Sequence, residues 1–329
     1  MTDFRLNGFL ALAVLLSGGV SLFSGEALIS LDTVAGLFSG TDDLDVLILR
    51  ELRLPRVLLG LLIGSGLGAA GAVLQGYFRN PLADPGVVGV SASAGLGAVV
   101  ALYFGLSAGF AYAVPVSAVA GAALGVGLLL LLAGARASAT TLILAGVAVG
   151  AIATALTGLL MNMAPNPWAL SEIAYWLMGS LKDASWTEIR FAAPIILAGL
   201  GVLSLTPRSL DGLSLGEETA RSLGIDMARL RLLVIGGAAL VVGGGVAVSG
   251  AIGFVGLVVP HLLRPLVAHR PGALVLPSAL GGAVLITLAD LTTRLISGPG
   301  MPLYLGVLTA LLGAPFFLWL VRSTQRRAP

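Results

Sequence analysis

An uncharged apolar span with a ridge of small residues is the feature that most constrains the fold of this chain. From Val57 to Phe78 no side chain is charged. A helix of that length, at about 1.5 Å per residue, extends roughly 33 Å and can cross a hydrocarbon core of about 30 Å. The spacing predicts a face where a second helix packs closely or, alternatively, a face that lines a transport pathway. The small residues recur at every fourth position: Gly60, Gly64, Gly68, Ala72 and Gly76.

The rest of the chain has the same membrane character. Hydrophobic residues make up 57% of its 329 residues and charged residues only 10%, against about 25% charged in ordinary soluble domains. We therefore expect an all-α polytopic membrane protein, built as a single transmembrane domain over residues 1–329. Ten apolar segments are the predicted spans, at about 6–24, 56–78, 87–105, 110–133, 140–163, 190–206, 230–249, 252–267, 273–289 and 303–321.

The distribution of basic residues predicts the orientation. With the N-terminus inside, most of the 18 Lys and Arg residues fall at the cytoplasmic ends of the spans, as the positive-inside rule requires. Ten spans then place both termini in the cytoplasm. A net charge of +2 is weak, and the absence of basic runs argues against nucleic acid as a partner. The chain has no Cys, which excludes disulfides and thiol chemistry.

Arginines at the predicted outer mouth are exceptions to the positive-inside rule. Arg50, Arg53 and Arg56 precede the second span, and Arg294 lies at the end of another span, one turn after Asp290. Such a cluster predicts a docking surface for an acidic partner. The alternative is neutralisation within the loop, and Asp290 is spaced to pair with Arg294 as i, i+4. The acidic residues close in sequence are Asp42, Asp43, Asp45 and Glu51.

A polar segment from Leu213 to Asp226, inside a cytoplasmic loop at about 209–227, predicts a short helix against the inner membrane face. Ser214 and Glu217 fit a capping box, and Gly224 fits a C-terminal stop. Leu215, Ala220 and Leu223 are expected to share the face that packs on the protein. The segment is a linker or a coupling element that takes force from a cytoplasmic subunit, and its length favours the second. The coupling residues are Ser214, Leu215, Gly216, Glu217, Glu218, Ala220, Arg221, Leu223 and Gly224.

Two further loops carry weaker signals. Between the fourth and fifth spans, Ser138, Ala139, Thr140 and Thr141 form a small uncharged turn, which predicts either a cytoplasmic gate or ordinary helix N-cap residues. An outer loop at about 164–189 carries three tryptophans and one tyrosine, a composition typical of an interfacial aromatic belt.

Catalytic chemistry is hard to find in the sequence. There is no G-x-x-x-x-G-K-[ST] phosphate loop, and the single lysine is Lys182, so the chain itself does not hydrolyse ATP by the P-loop mechanism. His261 and His269 have no carboxylate pattern beside them, so no metal site is expected. Charges that would carry an ion relay are missing from the span centres. We expect a subunit that is not an enzyme.

Six motifs together resemble the FecCD-type permeases, the membrane subunits of bacterial type II ABC importers for haem, ferric siderophores and cobalamin. The resemblance covers nearly the whole chain, in the family's order. The motifs are RLPR at 53–56, QGYFRNPLADPGVVGVSASAG at 75–95, LILAGVAVG at 142–150, YWLMGSL at 175–181, LSLGEETARSLGID at 213–226 and GFVGLVVPHLLRPL at 253–266.

The resemblance implies an assembly in the bacterial cytoplasmic membrane. Two copies of the permease, a homodimer, would bind two cytoplasmic ATPase subunits and a periplasmic substrate-binding protein. ATP and Mg would be bound by the partner ATPase, with no cofactor in this chain. Arg53, Arg56 and Arg294 would receive acidic residues of the binding protein. The segment from Ser214 to Gly224 would couple to the ATPase, and the turn from Ser138 to Thr141 would be the gate.

The resemblance also implies a pathway along the second and fifth spans. Its lining residues would be Gly60, Gly64, Gly68, Gly146 and Gly150. The RNPLADPG form at 79–86 is most similar to haem permeases, so the expected cargo is haem, with a ferric siderophore or cobalamin as alternatives. An ion-coupled secondary transporter is the competing class, and it would need charges at the span centres and no second polypeptide.

Overall fold

The computed structural model describes residues 2–25, 33, 43–134, 137–298 and 302–325, and these residues form helices with no β-strand among them. One short 3₁₀ turn precedes the helix that begins at Val90, and another follows it. The helices, in chain order, are α1 (Thr2–Phe23), α2 (Leu44–Tyr77), α3 (Val90–Tyr103), α4 (Ala113–Ala133), α5 (Ala139–Asn162), α6 (Pro167–Leu177), α7 (Trp186–Leu203), α8 (Pro207–Leu213), α9 (Glu217–Ser222), α10 (Met227–Ser249), α11 (Val255–Val267), α12 (Pro271–Ile296) and α13 (Leu305–Gln325).

The all-α prediction is confirmed, because every predicted apolar span coincides with a helix. Seven of the helices in the described residues are long and apolar enough to cross a membrane: α1, α2, α4, α5, α7, α10 and α12. The other three predicted spans form the shorter apolar helices α3, α11 and α13. That the chain crosses the membrane ten times, with both termini in the cytoplasm, remains a prediction.

The glycine ridge of α2 packs against α12 with the two backbones in contact. An added Cβ on Gly68 would lie 1.9 Å from the carbonyl oxygen of Ser278, and one on Gly64 would lie 2.3 Å from that of Gly282. Both distances are far below van der Waals contact, so neither position has room for a side chain. The ridge therefore serves helix packing, the first of its two predicted roles. The contact leaves no open surface at Gly64 or Gly68 for a passing ligand.

Two apolar helices are short because the chain enters the bundle without α-helical structure before each begins. The segment 78–89 leads into α3, and 250–254 leads into α11. Gly89 lies against the middle of α5, since an added Cβ there would be 2.6 Å from the carbonyl oxygen of Gly146. Gly256, in the first turn of α11, lies against Gly71 of α2 in the same close manner. The two helix starts therefore lie inside the bundle and contact each other, since an added Cβ on Gly256 would be 2.6 Å from Cδ of Pro85.

The predicted outer loop at 164–189 contains a helix that the sequence analysis did not identify. Helix α6 begins after Asn166, whose side chain accepts a hydrogen bond from the backbone N–H of Ala169 at 2.9 Å. A capping box follows at the start of α7, where Ser185 and Glu188 bond reciprocally. The belt of aromatic residues thus sits on a short amphipathic helix and its turn rather than on an irregular loop.

Candidate functional site

The arginine cluster (Arg50, Arg53, Arg56 and Arg294) lies at one end of the bundle, where α2 begins and α12 ends. From Ile48 to Arg53 the backbone of α2 is π-helical, a local widening that often occurs at functional sites. Arg50 is exposed and pairs with the adjacent Glu51, at 3.2 Å. The backbone carbonyl of Arg50 accepts a hydrogen bond from Nε1 of Trp186 at 3.1 Å, which ties this turn to the start of α7.

Asp290 of α12 neutralises the cluster from inside the protein. Its carboxylate is 4% exposed and accepts bidentate hydrogen bonds from Arg56, with Nε at 2.9 Å and Nη2 at 2.9 Å. The predicted i, i+4 pair with Arg294 is confirmed, with 3.4 Å between Nε and Oδ2. The acid that pairs with Arg56 is therefore far away in sequence, whereas Asp42, suggested as a neutralising residue, lies outside the described residues.

Further guanidinium contacts of the cluster go to the end of α1. Arg53 is buried and donates from Nη1 to the carbonyl oxygen of Leu22 at 2.9 Å. Arg294 donates to the carbonyl oxygens of Ser24 at 3.0 Å and Ser21 at 3.1 Å. These carbonyls belong to the last turn of a helix and have no intrahelical partners, so the arginines cap α1. Three predicted docking residues thus join α1, α2 and α12, and Arg50 is the exposed member.

Replacement of Asp290 by Asn is expected to destabilise the permease by about 3–5 kcal/mol, because two mostly buried guanidinium groups lose their counter-charge. The loss is measured as a lower thermal unfolding midpoint of the purified protein. Glu51→Gln is the matched control, since it removes the carboxylate of the exposed Arg50 pair, a pair worth about 0–1 kcal/mol. Equal midpoints for the two variants would show that the Asp290 network is not a structural clamp.

The predicted capping box in the polar segment is wrong. Helix α9 begins at Glu217 with Gly216 as its N-cap, at φ 108°. Ser214 instead ends α8, and its hydroxyl donates to the carbonyl oxygen of Asp211 at 2.6 Å. Because α8 already occupies residues up to Leu213, the chain needs a sharp turn at Gly216 before α9, and a glycine adopts that φ without strain. The stop at Gly224 is confirmed, with a left-handed φ of 81°.

The two leucines of this segment face outwards, contrary to the expected shared inner face. Ala220 is fully buried, but Leu215 is 66% exposed and Leu223 is 61% exposed. Between them, Arg221 and Glu217 form an i, i+4 ion pair at 2.8 Å. The segment thus presents two apolar side chains around a polar helix, a pattern that suits contact with another protein.

Helix α8 fastens the segment to the start of α12. Asp211 accepts a hydrogen bond from the backbone N–H of Gly272 at 2.8 Å and pairs with Arg270 at 3.0 Å. The carboxylate sits where the helix dipole favours negative charge. Since α12 begins here and ends at the arginine cluster, its 26 residues connect the two candidate interfaces, a distance of about 39 Å.

The predicted gate turn lies at the same end of the bundle as α8 and α9. Ser138 is the N-cap of α5, and its hydroxyl accepts a hydrogen bond from the backbone N–H of Thr141 at 3.1 Å. Ser138 thus has the N-cap role that was the predicted alternative to a gate. Ala139 and Leu213 line one groove of about 410 Å³, together with Glu217 and Tyr77. The turn and the coupling segment are therefore neighbours across this groove.

The two predicted pathway glycines of α5 contact the non-helical segment before α3. Gly146 and Gly150 both lie against the backbone of Gly89. The opposite side of α5 is exposed and apolar, with Leu144, Val147 and Ile152 on it. A carboxylate that sequence reasoning missed lies in the same segment: Asp84 accepts from the backbone N–H of Gly86 at 2.8 Å and borders a cavity of about 120 Å³ with Leu67 of α2. The proline-broken NPLADPG sequence is the signal that locates it, since two prolines so close together interrupt an α-helix and leave Asp84 in a turn.

Within the ranges that the structure describes, no group of three or more His, Cys, Asp or Glu residues is close enough to hold a metal ion. The site consists of two candidate protein interfaces at opposite ends of an apolar bundle. Such an arrangement is able to transmit a rearrangement between partners.

Known proteins are similar to this chain in sequence and in fold. The chain is 39% identical over 320 residues to the Fe(3+)-citrate import system permease protein YfmE of Bacillus subtilis, covering 97% of this chain and 95% of the relative. It is 40% identical over 291 residues to the hemin transport system permease protein HmuU of Yersinia pestis, covering 84% of each chain. Its fold matches a solved structure of a metal-chelate type ABC transporter in an inward-facing conformation, at 34% identity and a TM-score of 0.86, covering 97% of this chain and 99% of that one. The model of the FecCD transport family matches residues 10–323, and this chain belongs to that family.

Proposed function

We propose that this chain is the membrane permease of an ATP-driven importer that moves a bulky metal chelate across the bacterial cytoplasmic membrane. A permease subunit of this family is not itself catalytic, and ATP with Mg would be bound by a partner ATPase. The single observation that carries the proposal is the α8–α9 segment, anchored on α12 by Asp211 and exposing Leu215 and Leu223. A transporter that works alone has no use for such a surface.

The proposed assembly contains a second copy of this chain, two ATPase subunits and a substrate-binding protein, with ten crossings and both termini in the cytoplasm. Exposed apolar residues on α5 and α13, among them Leu144, Val147, Leu312 and Trp319, offer the surface for the second copy. Gly146 and Gly150 would shape the adjacent pathway, with Ser138 to Thr141 at its inner end as the gate. Apolar walls of this kind would pass a large ligand without holding it.

The proposed cargo is an iron chelate or a related metal complex, and haem has no advantage over the others. Relatives named for Fe(3+)-citrate and for hemin are equally similar to this chain, at 39% and 40% identity. The RNPLADPG motif therefore does not identify which of these ligands is transported. Ferric siderophores and cobalamin are tested as cargo together with haem.

Docking of an acidic binding protein is proposed for the arginine cluster, with Arg50 as the first contact because it is the exposed member. Arg50→Glu is expected to slow association about tenfold at low salt, with a smaller effect at high salt. Surface plasmon resonance with the immobilised permease measures the association rate. Arg190→Glu is the control, an exposed arginine on α7 outside the cluster. A rate that changes equally in both variants would place the docking surface elsewhere.

The test of function is uptake into proteoliposomes that contain the permease with its ATPase. Haem, Fe(3+)-citrate, another ferric siderophore and cobalamin are offered in turn, each with its binding protein. Uptake of one ligand that needs both ATP and the binding protein would support the proposal and identify the cargo. Uptake driven by an ion gradient without ATP would contradict it in favour of a secondary transporter.

A further inference from the structure

A second cavity, of about 210 Å³, lies at the end of the bundle that carries α8 and α9. It opens between the end of α2, the end of α11 and the start of α12. Three basic side chains line it: Arg79, Arg264 and His269. Gln75 and Ser214 add polar groups, and no carboxylate is among the described residues that border the cavity.

Arg264 is held in this cavity by a buried amide. Its Nη2 donates to Oε1 of Gln75, while Nε2 of Gln75 donates to the carbonyl oxygen of Gly256 at 3.1 Å. Nε of Arg264 is buried and finds no hydrogen-bond partner among the described residues. A fixed guanidinium with an unused donor presents ready geometry to an oxyanion.

The other two basic residues occupy backbone positions that L-residues rarely adopt. Arg79 has φ 49° and His269 has φ 62°. Neither position is a glycine, so the turns carry some strain while they hold a basic side chain at the cavity. The side chain of Arg79 forms no ion pair within the described part of the chain. The cavity thus brings two arginines and a histidine together, with no carboxylate among the described residues that line it.

Exposed apolar residues beside Arg264 indicate which kind of anion could bind in the cavity. Leu262 and Leu266, two residues before and two after Arg264, are 57% and 56% exposed. If these two leucines face acyl chains, Arg264 lies within reach of the lipid headgroups, because a long basic side chain near a helix end extends towards the interface. Basic pockets between transmembrane helices on the cytoplasmic side suit lipid phosphates.

We propose that this cavity, the basic pocket (Arg79, Arg264 and His269), binds the phosphate of an anionic lipid headgroup beside the coupling segment. Phosphatidylglycerol fits because its headgroup has no cation of its own, whereas the ammonium of phosphatidylcholine would meet three basic side chains. Ser214, at the end of α8, borders the same pocket. Bound lipid would therefore contact the element that carries the coupling helices.

The test measures lipid binding to the full-length permease in detergent and needs no partner subunit or transport. Short-chain phosphatidylglycerol is titrated while the thermal unfolding midpoint is followed, with short-chain phosphatidylcholine and inorganic phosphate as separate arms. We expect a saturable rise with phosphatidylglycerol only. In the double variant Arg79→Asn with His269→Asn, the affinity should fall about tenfold or more. Asparagine tolerates left-handed φ values, so the variant retains its turns.

Arg229→Gln is the matched control, because Arg229 is an exposed arginine near the same end of the bundle that does not line the pocket. Its affinity for phosphatidylglycerol should equal that of the wild type. Native mass spectrometry of the same samples counts bound lipid independently of stability. Equal binding of both lipids, an undiminished affinity in the double variant, or a full effect of inorganic phosphate alone would overturn the proposal. None of these outcomes depends on whether the chain imports a chelate.

Discussion

Gly68→Ala is expected to yield a permease that unfolds easily or fails to accumulate in the membrane. The added Cβ would lie 1.9 Å from the carbonyl oxygen of Ser278 and 2.8 Å from its carbonyl carbon. Both atoms belong to the backbone of α12, so no rotamer change relieves the clash and the two helices must separate. Overpacking in a core costs about 1–3 kcal/mol when side chains adjust. A backbone clash in the centre of the bundle should reach or exceed the upper value.

Gly127→Ala provides the matched control within the same protein. Gly127 is also a glycine in the interior of an apolar helix, but an added Cβ there meets nothing within 4 Å. Alanine should even favour that helix by about 0.5–1 kcal/mol. The measurement is the membrane yield and the thermal unfolding midpoint of both variants. If Gly68→Ala unfolds at the wild-type temperature, α2 and α12 are not in the close contact described above.

The helices could be predicted from sequence because lipid exposure selects long uncharged runs, and each run forms a helix. The partner of the glycine ridge could not be predicted. The period of four in α2 reveals a small-residue face, but Ser278 and Gly282 of α12 carry no signal that they meet it. The choice between packing and pathway therefore depended on tertiary structure.

The candidate site shows the same division between local and long-range information. The Asp290–Arg294 pair follows from i, i+4 spacing, whereas the bidentate contact of Arg56 with Asp290 joins residues 234 positions apart. The Ser214–Glu217 pattern matched a capping box, yet α8 placed Ser214 at the end of one helix instead of the start of another. Helix α6 was missed because its polar and aromatic residues resemble an interfacial loop. Motif patterns locate such segments reliably, but neighbouring elements decide which way their side chains point.

Loss of the two exposed leucines of the coupling segment is expected to uncouple the importer while the permease itself remains folded. The double variant Leu215→Ser with Leu223→Ser loses little packing within the chain, since both side chains are more than half exposed. If a partner ATPase covers them, each buried leucine contributes about 1.5–3 kcal/mol. The pair then accounts for at least about 3 kcal/mol, or roughly a hundredfold in affinity for the ATPase.

The readouts for this variant are co-purification of the ATPase, ATP-driven uptake and the thermal unfolding midpoint of the permease alone. The first two should be lost and the third unchanged, because the anchor from Asp211 to Gly272 is intact. Leu205→Ser is the matched control: Leu205 is 62% exposed and lies two residues before α8, outside the segment. If the control loses the ATPase equally, the contact surface is wider than α9 and its flanking leucines. If uptake persists in the double variant without bound ATPase, the α8–α9 segment is a linker. ATP hydrolysis is then not coupled to transport through this segment.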